Sequence, residues 1–176
     1  MLSWSEHYRD ILYAQGACKA LTLEIVMFKR IMVAIDGSKT SNRALREAIK
    51  IGKDQRAMLR LIHVVDEMPA YITMGEVSYS IEDYRKSMRE GGRKVLAAAA
   101  AKAKVSRVRF DTKLAVTAGL STRIWEVMNK EAKRWRADLI VIGTHGRRGF
   151  DRFIVGSVAE GIIRASGMPV LVVHGR

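Results

Sequence analysis

Five short apolar runs interrupt the chain, and four of them are apolar at almost every position. They are IMVAI at 31–35, MLRLIHVV at 58–65, VRFDTKLAV at 108–116, DLIVIG at 138–143 and PVLVV at 169–173. A strand with one wet face alternates apolar and polar side chains, whereas a strand apolar throughout must be covered on both faces. The run at 108–116 alternates, which predicts an edge strand. The intervening segments carry the helical period instead. In SNRALREAIKIG, Ala44, Leu45, Ala48 and Ile49 share one face behind Ser41, a candidate cap. Residues 80–104 are charged and then alanine-rich, with high helix propensity apart from Gly91 and Gly92. In STRIWEVMNKEAKRW, residues Ile124, Val127, Met128, Ala132 and Trp135 keep the same period, as do Val158, Ala159, Ile162 and Ile163 in SVAEGIIRAS. Ser157 and Glu160 have the spacing of a capping box. The order β-α-β-α-β-α-β-α-β with buried strands predicts an α/β fold, an open parallel sheet with helices on both faces. Right-handed crossovers leave few ways to wire it.

The 176 residues suit one domain, and no apolar run approaches the ~20 residues that cross a bilayer. The single cysteine, Cys18, excludes a disulfide framework and a multi-cysteine metal site, and it fits a reducing cytoplasm. Four scattered histidines make no zinc motif. The net charge is +13, and the first 27 residues contribute −1 of it, so the remainder carries +14. Such a field attracts polyanions without saying which. Residues 1–26 are acidic where a secretory leader is basic and lack a continuous apolar stretch, so they are not read as a signal peptide. Two readings stay open for them: an appendage before a natural start at Met27, or a short helix packed on a domain spanning 27–176. The longest irregular stretch, 66–79, is a candidate lid.

The sharpest motif is GTHGRRGFDRFIVGS at 143–157. It follows the fourth strand and ends at the fourth helix. Ligands of open α/β sheets bind beyond the carboxyl ends of strands, where the strand order reverses. A helix start offers unpaired N–H groups and partial positive charge to an anion. Glycine lets the backbone approach closely, and Ser157, Arg147, Arg148 and Arg152 add a hydroxyl and charge. Thr144 and Arg147 join the candidate contacts. Against this, Gly143 could simply end a strand, Ser157 could simply cap a helix, and loop arginines are usually solvated. Neither the P-loop nor the G-x-G-x-x-G fingerprint occurs, which argues against a P-loop kinase or a nicotinamide dehydrogenase. At the end of the first strand, VAIDGSKTS places Asp36 where a carboxylate could accept a ribose hydroxyl or hold Mg²⁺ indirectly through phosphates. The competing reading is a turn aspartate bonding its own backbone. His63, inside a strand, is read as a packed core histidine, and Trp125 and Trp135 as core or interface.

From about Met27 to His174 the chain resembles the universal stress protein family. The resemblance rests on KRIMVAIDGSKTSNRAL, LRLIHVVDE and GTHGRRGFDRFIVGSVAEGIIRASGMPVLVVH. The spacing G-x2-G-x9-G-S/T, met by Gly143, Gly146, Gly156 and Ser157, resembles that family's ATP-binding branch. The resemblance implies a five-stranded parallel sheet in the order 3-2-1-4-5. It implies that Ala34, Ile35 and Asp36 border adenosine, that the Val64 main chain lies beside adenine, and that Gly143, Gly146, Gly156, Ser157 and Val158 surround ribose and phosphates. Ala159 stands where some ATP-binding members carry threonine, which removes one hydroxyl contact. The family also implies a homodimer through the last strand, here Val170, Leu171 and Val172.

The expected function is therefore an ATP-binding regulatory module of the stress response, with Mg²⁺ as an accompanying ion. The alternative is a slow Mg-dependent ATPase or autophosphorylating enzyme. A nucleic-acid partner rests on charge alone, because the chain has no aromatic-rich RNA motif and no helix-turn-helix signal.

Overall fold

The computed structural model describes residues 28–67, 81–117, 121–144 and 156–174. Its elements, in chain order, are β1 (Arg30–Ala34), α1 (Lys39–Asp54), β2 (Met58–Val65), α2 (Ile81–Val105), β3 (Arg109–Val116), α3 (Ile124–Trp135), β4 (Leu139–Gly143), α4 (Ser157–Ala165) and β5 (Val170–Val173). All strands are parallel, as the alternation of elements predicts, and their order is β3-β2-β1-β4-β5, as the resemblance implies. The alternating run at 108–116 is indeed an edge strand.

Two cores cover the sheet. On one face Ile31, Val33, Leu59, Leu61 and Val141 pack against Ala44, Leu45 and Ala48 of α1 and Leu96 and Ala99 of α2. On the other, Met32, Ile62, Ile140 and Ile142 pack against Met128, Ala132 and Trp135 of α3 and Ala159 and Ile162 of α4. Successive residues of β1, β2 and β4 thus enter opposite cores, which is why those runs lack alternation. The second core meets a charged layer. Arg60 on β2 donates two bonds to Asp111 on β3, at 2.8 and 2.7 Å, and one to Glu131 on α3, at 2.8 Å. Its guanidinium lies 4.7 Å from the centre of the Trp135 ring, and that of Arg30 lies 4.3 Å from the same ring.

The two glycines of α2 have opposite environments. A β-carbon on Gly92 would stand 2.7–2.9 Å from Leu114, His63 and Val65, whereas one on Gly91 would meet nothing within 4 Å. The propensity cost of Gly92 is the condition for α2 to lie close on β2 and β3. Gly91→Ala should therefore stabilise by about 0.5–1 kcal/mol. Gly92→Ala should destabilise by about 1–2 kcal/mol, because crowding outweighs the propensity gain. Denaturant midpoints moving in the same direction for both would refute this packing.

Two capping expectations are corrected. Helix α1 begins two residues before Ser41, and Ser38 caps it, accepting from the Ser41 N–H at 3.1 Å. Ser157 is the first residue of α4; Gly156 occupies the cap and makes no side-chain bond. At the other ends of the helices, Arg56, Arg107 and Arg136 take left-handed backbones with φ of 54°, 55° and 56°. That conformation costs a non-glycine residue roughly 1–2 kcal/mol. A cation at a helix C-terminus recovers only about 0.3–1 kcal/mol of it.

Candidate functional site

The strand order reverses between β1 and β4. Helices α1 and α2 lie on one face, α3 and α4 on the other, so the starts of α1 and α4 flank the carboxyl ends of these two strands. Pairing from Ile31↔Leu139 to Val33↔Val141 makes the strands leave the sheet side by side. The first turn out of β1 is heavily bonded. Asp36 Oδ1 accepts the Ser38 N–H at 2.9 Å, and Gly37 completes the turn with φ of 83°. The buried Ser41 hydroxyl accepts the Asp36 N–H at 3.1 Å and donates to the Ala34 carbonyl at 3.3 Å. Asp36 is therefore a turn aspartate, as one of its two readings had it. Its second oxygen has no bond to any described residue, so the turn does not exhaust the carboxylate.

Ile35 is buried, and its N–H makes the last rung to β2, at 2.8 Å to the Ile62 carbonyl. Its carbonyl lies 2.5 Å from His63 Nδ1. A carbonyl only accepts, so the proton sits on Nδ1. His63 thus ties down the exit of β1. Peptide groups of alternate strand residues point to the same side. Since the Ile62 carbonyl faces β1 and the Val65 carbonyl bonds Thr117 N on the β3 side, the Val64 N–H and C=O face the β1 side. There β1 has already ended, and none of the described residues pairs with them. A ligand edge with one donor and one acceptor would fit that gap.

Gly143 ends β4 where a β-carbon would stand 2.9 Å from Thr40 Cβ, 3.0 Å from the Thr40 carbonyl carbon and 3.1 Å from Ser41 N. Its lack of a side chain is needed for α1 to approach β4, whatever else it does. Thr144 is buried; its N–H bonds the Val173 carbonyl at 2.9 Å, and its carbonyl accepts the Gly156 N–H at 2.8 Å. The two ends of the glycine motif are thereby fastened together. Gly146 and Arg147, with most of the candidate lid, lie outside the described residues. Beyond Gly156, the N–H groups of Ser157, Val158 and Ala159 precede the first helical bond, from Glu160 N to the Gly156 carbonyl, so none has a partner within α4. Ser157 is exposed and Val158 half-buried.

Sequence reasoning passed over Ser38 and Thr40, whose hydroxyls lie 3.0 Å apart at the start of α1. The signal was present: Asp-Gly-Ser is a turn-and-cap signature. No group of three or more metal-ligating side chains occurs among the described residues, and no helix there is long and apolar enough to cross a membrane.

A doubly wound parallel sheet with main-chain groups unclaimed at its switch point defines an open α/β protein, a fold whose ligands bind at that crevice. The family model described as the universal stress protein family matches residues 27–174, and the chain belongs to that family. The universal stress protein YxiE of Bacillus subtilis is 32% identical over 155 residues, covering 84% of this chain and 100% of its own length. A universal stress family protein from Burkholderia pseudomallei has a solved structure that is 30% identical, with a TM-score of 0.66, covering 84% of this chain and 97% of that one. The Archaeoglobus fulgidus universal stress protein, solved in complex with dAMP, is 21% identical with a TM-score of 0.59, over 84% and 98% of the two chains. A further universal stress protein solved with cAMP is 23% identical, also with a TM-score of 0.59, over the same shares.

Proposed function

We propose that this chain is a regulatory adenine-nucleotide-binding protein of the stress response, with ATP as its ligand. The observation that carries the reading is the first turn of α4, whose Ser157, Val158 and Ala159 amides have no helical partner at the switch point. They supply the donors and the dipole for phosphates. Glycine at 143 and 156 keeps the approach free of side chains, Thr144 closes the base, and Gly146 and Arg147 extend the cradle. Asp36, through its second oxygen, takes a ribose hydroxyl, with Ala34 and Ile35 beside it. The Val64 peptide groups match the donor and acceptor on the edge of adenine. That relatives of this fold were solved with dAMP and cAMP supports the choice of base. Mg²⁺ fits only indirectly: one carboxylate is at hand, and the ion would keep waters and phosphate oxygens as its other ligands. The exposed edge of β5, at Val170, Leu171 and Val172, pairs with a second copy.

At a hundred times its dissociation constant, a ligand adds roughly 2.7 kcal/mol of stability. For a domain of this size the melting temperature should rise roughly 5–11 °C with saturating ATP and Mg²⁺. Failure of millimolar ATP, AMP and cAMP alike to raise it would refute the reading; a response to AMP or cAMP alone would refute ATP as the ligand. The enzymatic alternative is separated by single-turnover hydrolysis with Asp36→Ala: equal background rates in both proteins would end it.

A further inference from the structure

The opposite end of the sheet carries a charge pattern that nucleotide binding does not use. Three helices finish on the same four-residue motif, Lys-x-x-Arg: KDQR at 53–56, KVSR at 104–107 and KRWR at 133–136. In each, the arginine is the left-handed residue after the last turn, and its N–H bonds the carbonyl of the motif's own lysine, at 3.3, 3.0 and 3.1 Å. All six side chains are exposed. Glycine or asparagine would suit that backbone better. Helix ending therefore does not account for arginine recurring at all three turns.

The sheet order brings these turns into a row. The motifs precede β2, β3 and β4, and Lys29-Arg30 fills the gap at the start of β1, so four adjacent strands each present a lysine and an arginine. Neighbouring strands are about 4.8 Å apart, so the row spans roughly 14 Å. Four arginines along that row, with lysines flanking it on both faces of the sheet, come near the charge spacing of one nucleic-acid strand, about one per 3.4 Å of axis. Two carboxylates stand among them, Asp54 inside the first motif and Asp138 just before β4. Among the described residues, Arg56, Arg107 and Arg136 have no carboxylate at ion-pair distance. Asp138 is engaged by the N–H groups of Lys29 and Arg30, at 2.7 and 3.0 Å. One arginine of the row is held in place, since Arg30 Nε donates to the Trp135 carbonyl at 2.7 Å, and Arg109, just beyond the row, reaches the Arg56 carbonyl at 2.5 Å. At the carboxyl end, Asp36 and Asp66 follow β1 and β2, and the buried Glu67 pairs with Arg89.

We infer that this amino-terminal end of the sheet is a docking surface for the phosphate backbone of a nucleic-acid duplex, separate from the nucleotide crevice. Guanidinium groups favour phosphate through paired N–H donors. An anionic membrane fits less well, since interfacial binding needs large apolar or aromatic anchors beside the cations. Val105 and, in the last turn of α4, Ile163 are the large exposed apolar side chains that the described residues place toward this end, and neither is aromatic. Contacts to backbone phosphates carry no base specificity, so the predicted binding is sequence-independent and salt-dependent.

The test uses the full chain and a fluorescent 30-base-pair DNA duplex of arbitrary sequence, titrated by anisotropy between 50 and 200 mM salt. The variant Arg56→Asn/Arg107→Asn/Arg136→Asn removes three charges while keeping a residue tolerant of the left-handed backbone. Its affinity at 50 mM salt should fall at least tenfold, and its salt slope should flatten by about 2.7, or 0.9 for each phosphate no longer neutralised. A charge-matched control, Arg46→Gln/Lys86→Gln/Lys94→Gln, removes exposed cations from the helix faces and should leave the slope nearly unchanged. An equal loss in both triples, or an unaltered slope in the arginine triple, would overturn the site. So would binding to vesicles containing phosphatidylserine without binding to the duplex. An unchanged ATP-induced thermal shift in the arginine triple would show that it is folded and that the crevice is intact.

Discussion

Gly143→Val should lower the melting temperature by roughly 6–12 °C and remove the stabilisation that the proposed adenine-nucleotide binding would give. The β-carbon alone would come within 2.9–3.1 Å of Thr40 Cβ, the Thr40 carbonyl carbon and the Ser41 nitrogen. Two of these three atoms are main chain, so no rotamer change relieves the clash. The first turn of α1 must move away from β4, at a cost of about 3 kcal/mol, and a domain of this size loses about 2–4 °C per kcal/mol. That same turn holds Ser41, which bonds both Asp36 and Ala34, so the exit of β1 shifts with it. Gly143→Ala should show a smaller change in the same direction. Gly167→Ala, with open space at its β-carbon, serves as the control. A valine variant that melts with the wild type would mean that α1 does not rest on β4 as described.

Arg60→Ala should be comparably damaging, although Arg60 lies far from the crevice. The Glu131 side chain is 8% exposed and would keep only Arg134, itself 64% exposed, as a partner. Asp111 would lose both of its bonds to Arg60. Removing one member of a largely buried ionic cluster leaves the other charge uncompensated, and about 3 kcal/mol is expected here. Removal of the cation from the face of the Trp135 ring adds to this. The hydrogen bonds to Asp111 raise the Arg60 guanidinium pKa further above its ordinary value, so the guanidinium itself stays charged. The double variant Arg60→Ala/Glu131→Gln should recover part of the loss, because the stranded carboxylate is gone. Urea midpoints showing a loss below 1 kcal/mol for Arg60→Ala, or no recovery in the double variant, would contradict this account.

Much of the architecture was legible because buried parallel strands leave a continuous apolar signature. The expected runs at 58–65 and 138–143 correspond to Met58–Val65 and Leu139–Gly143. Alternation in VRFDTKLAV announced an edge. Caps were less legible, because Ser38 and Ser41 are equally good capping residues by type. The choice depends on Ser41 being drawn inward to Ala34 and Asp36. The role of Gly143 was also ambiguous: a phosphate loop and a helix pressed against a strand both demand glycine. Val64 illustrates the reverse case. The family resemblance pointed to its main chain, but only the early end of β1 explains why those peptide groups lack a strand partner.

Local chemistry written into the chain determined the strand and helix order, the edge position of β3, and the presence of a glycine-rich segment before the last helix, because periodicity and backbone preference act over a few residues. The tertiary structure alone decided which groups meet: His63 with the Ile35 carbonyl, Gly92 with three side chains of β2 and β3, and three Lys-x-x-Arg helix ends aligned in one row. Those juxtapositions join residues tens of positions apart, and they follow from the register and crossing of parallel strands, which no single segment encodes.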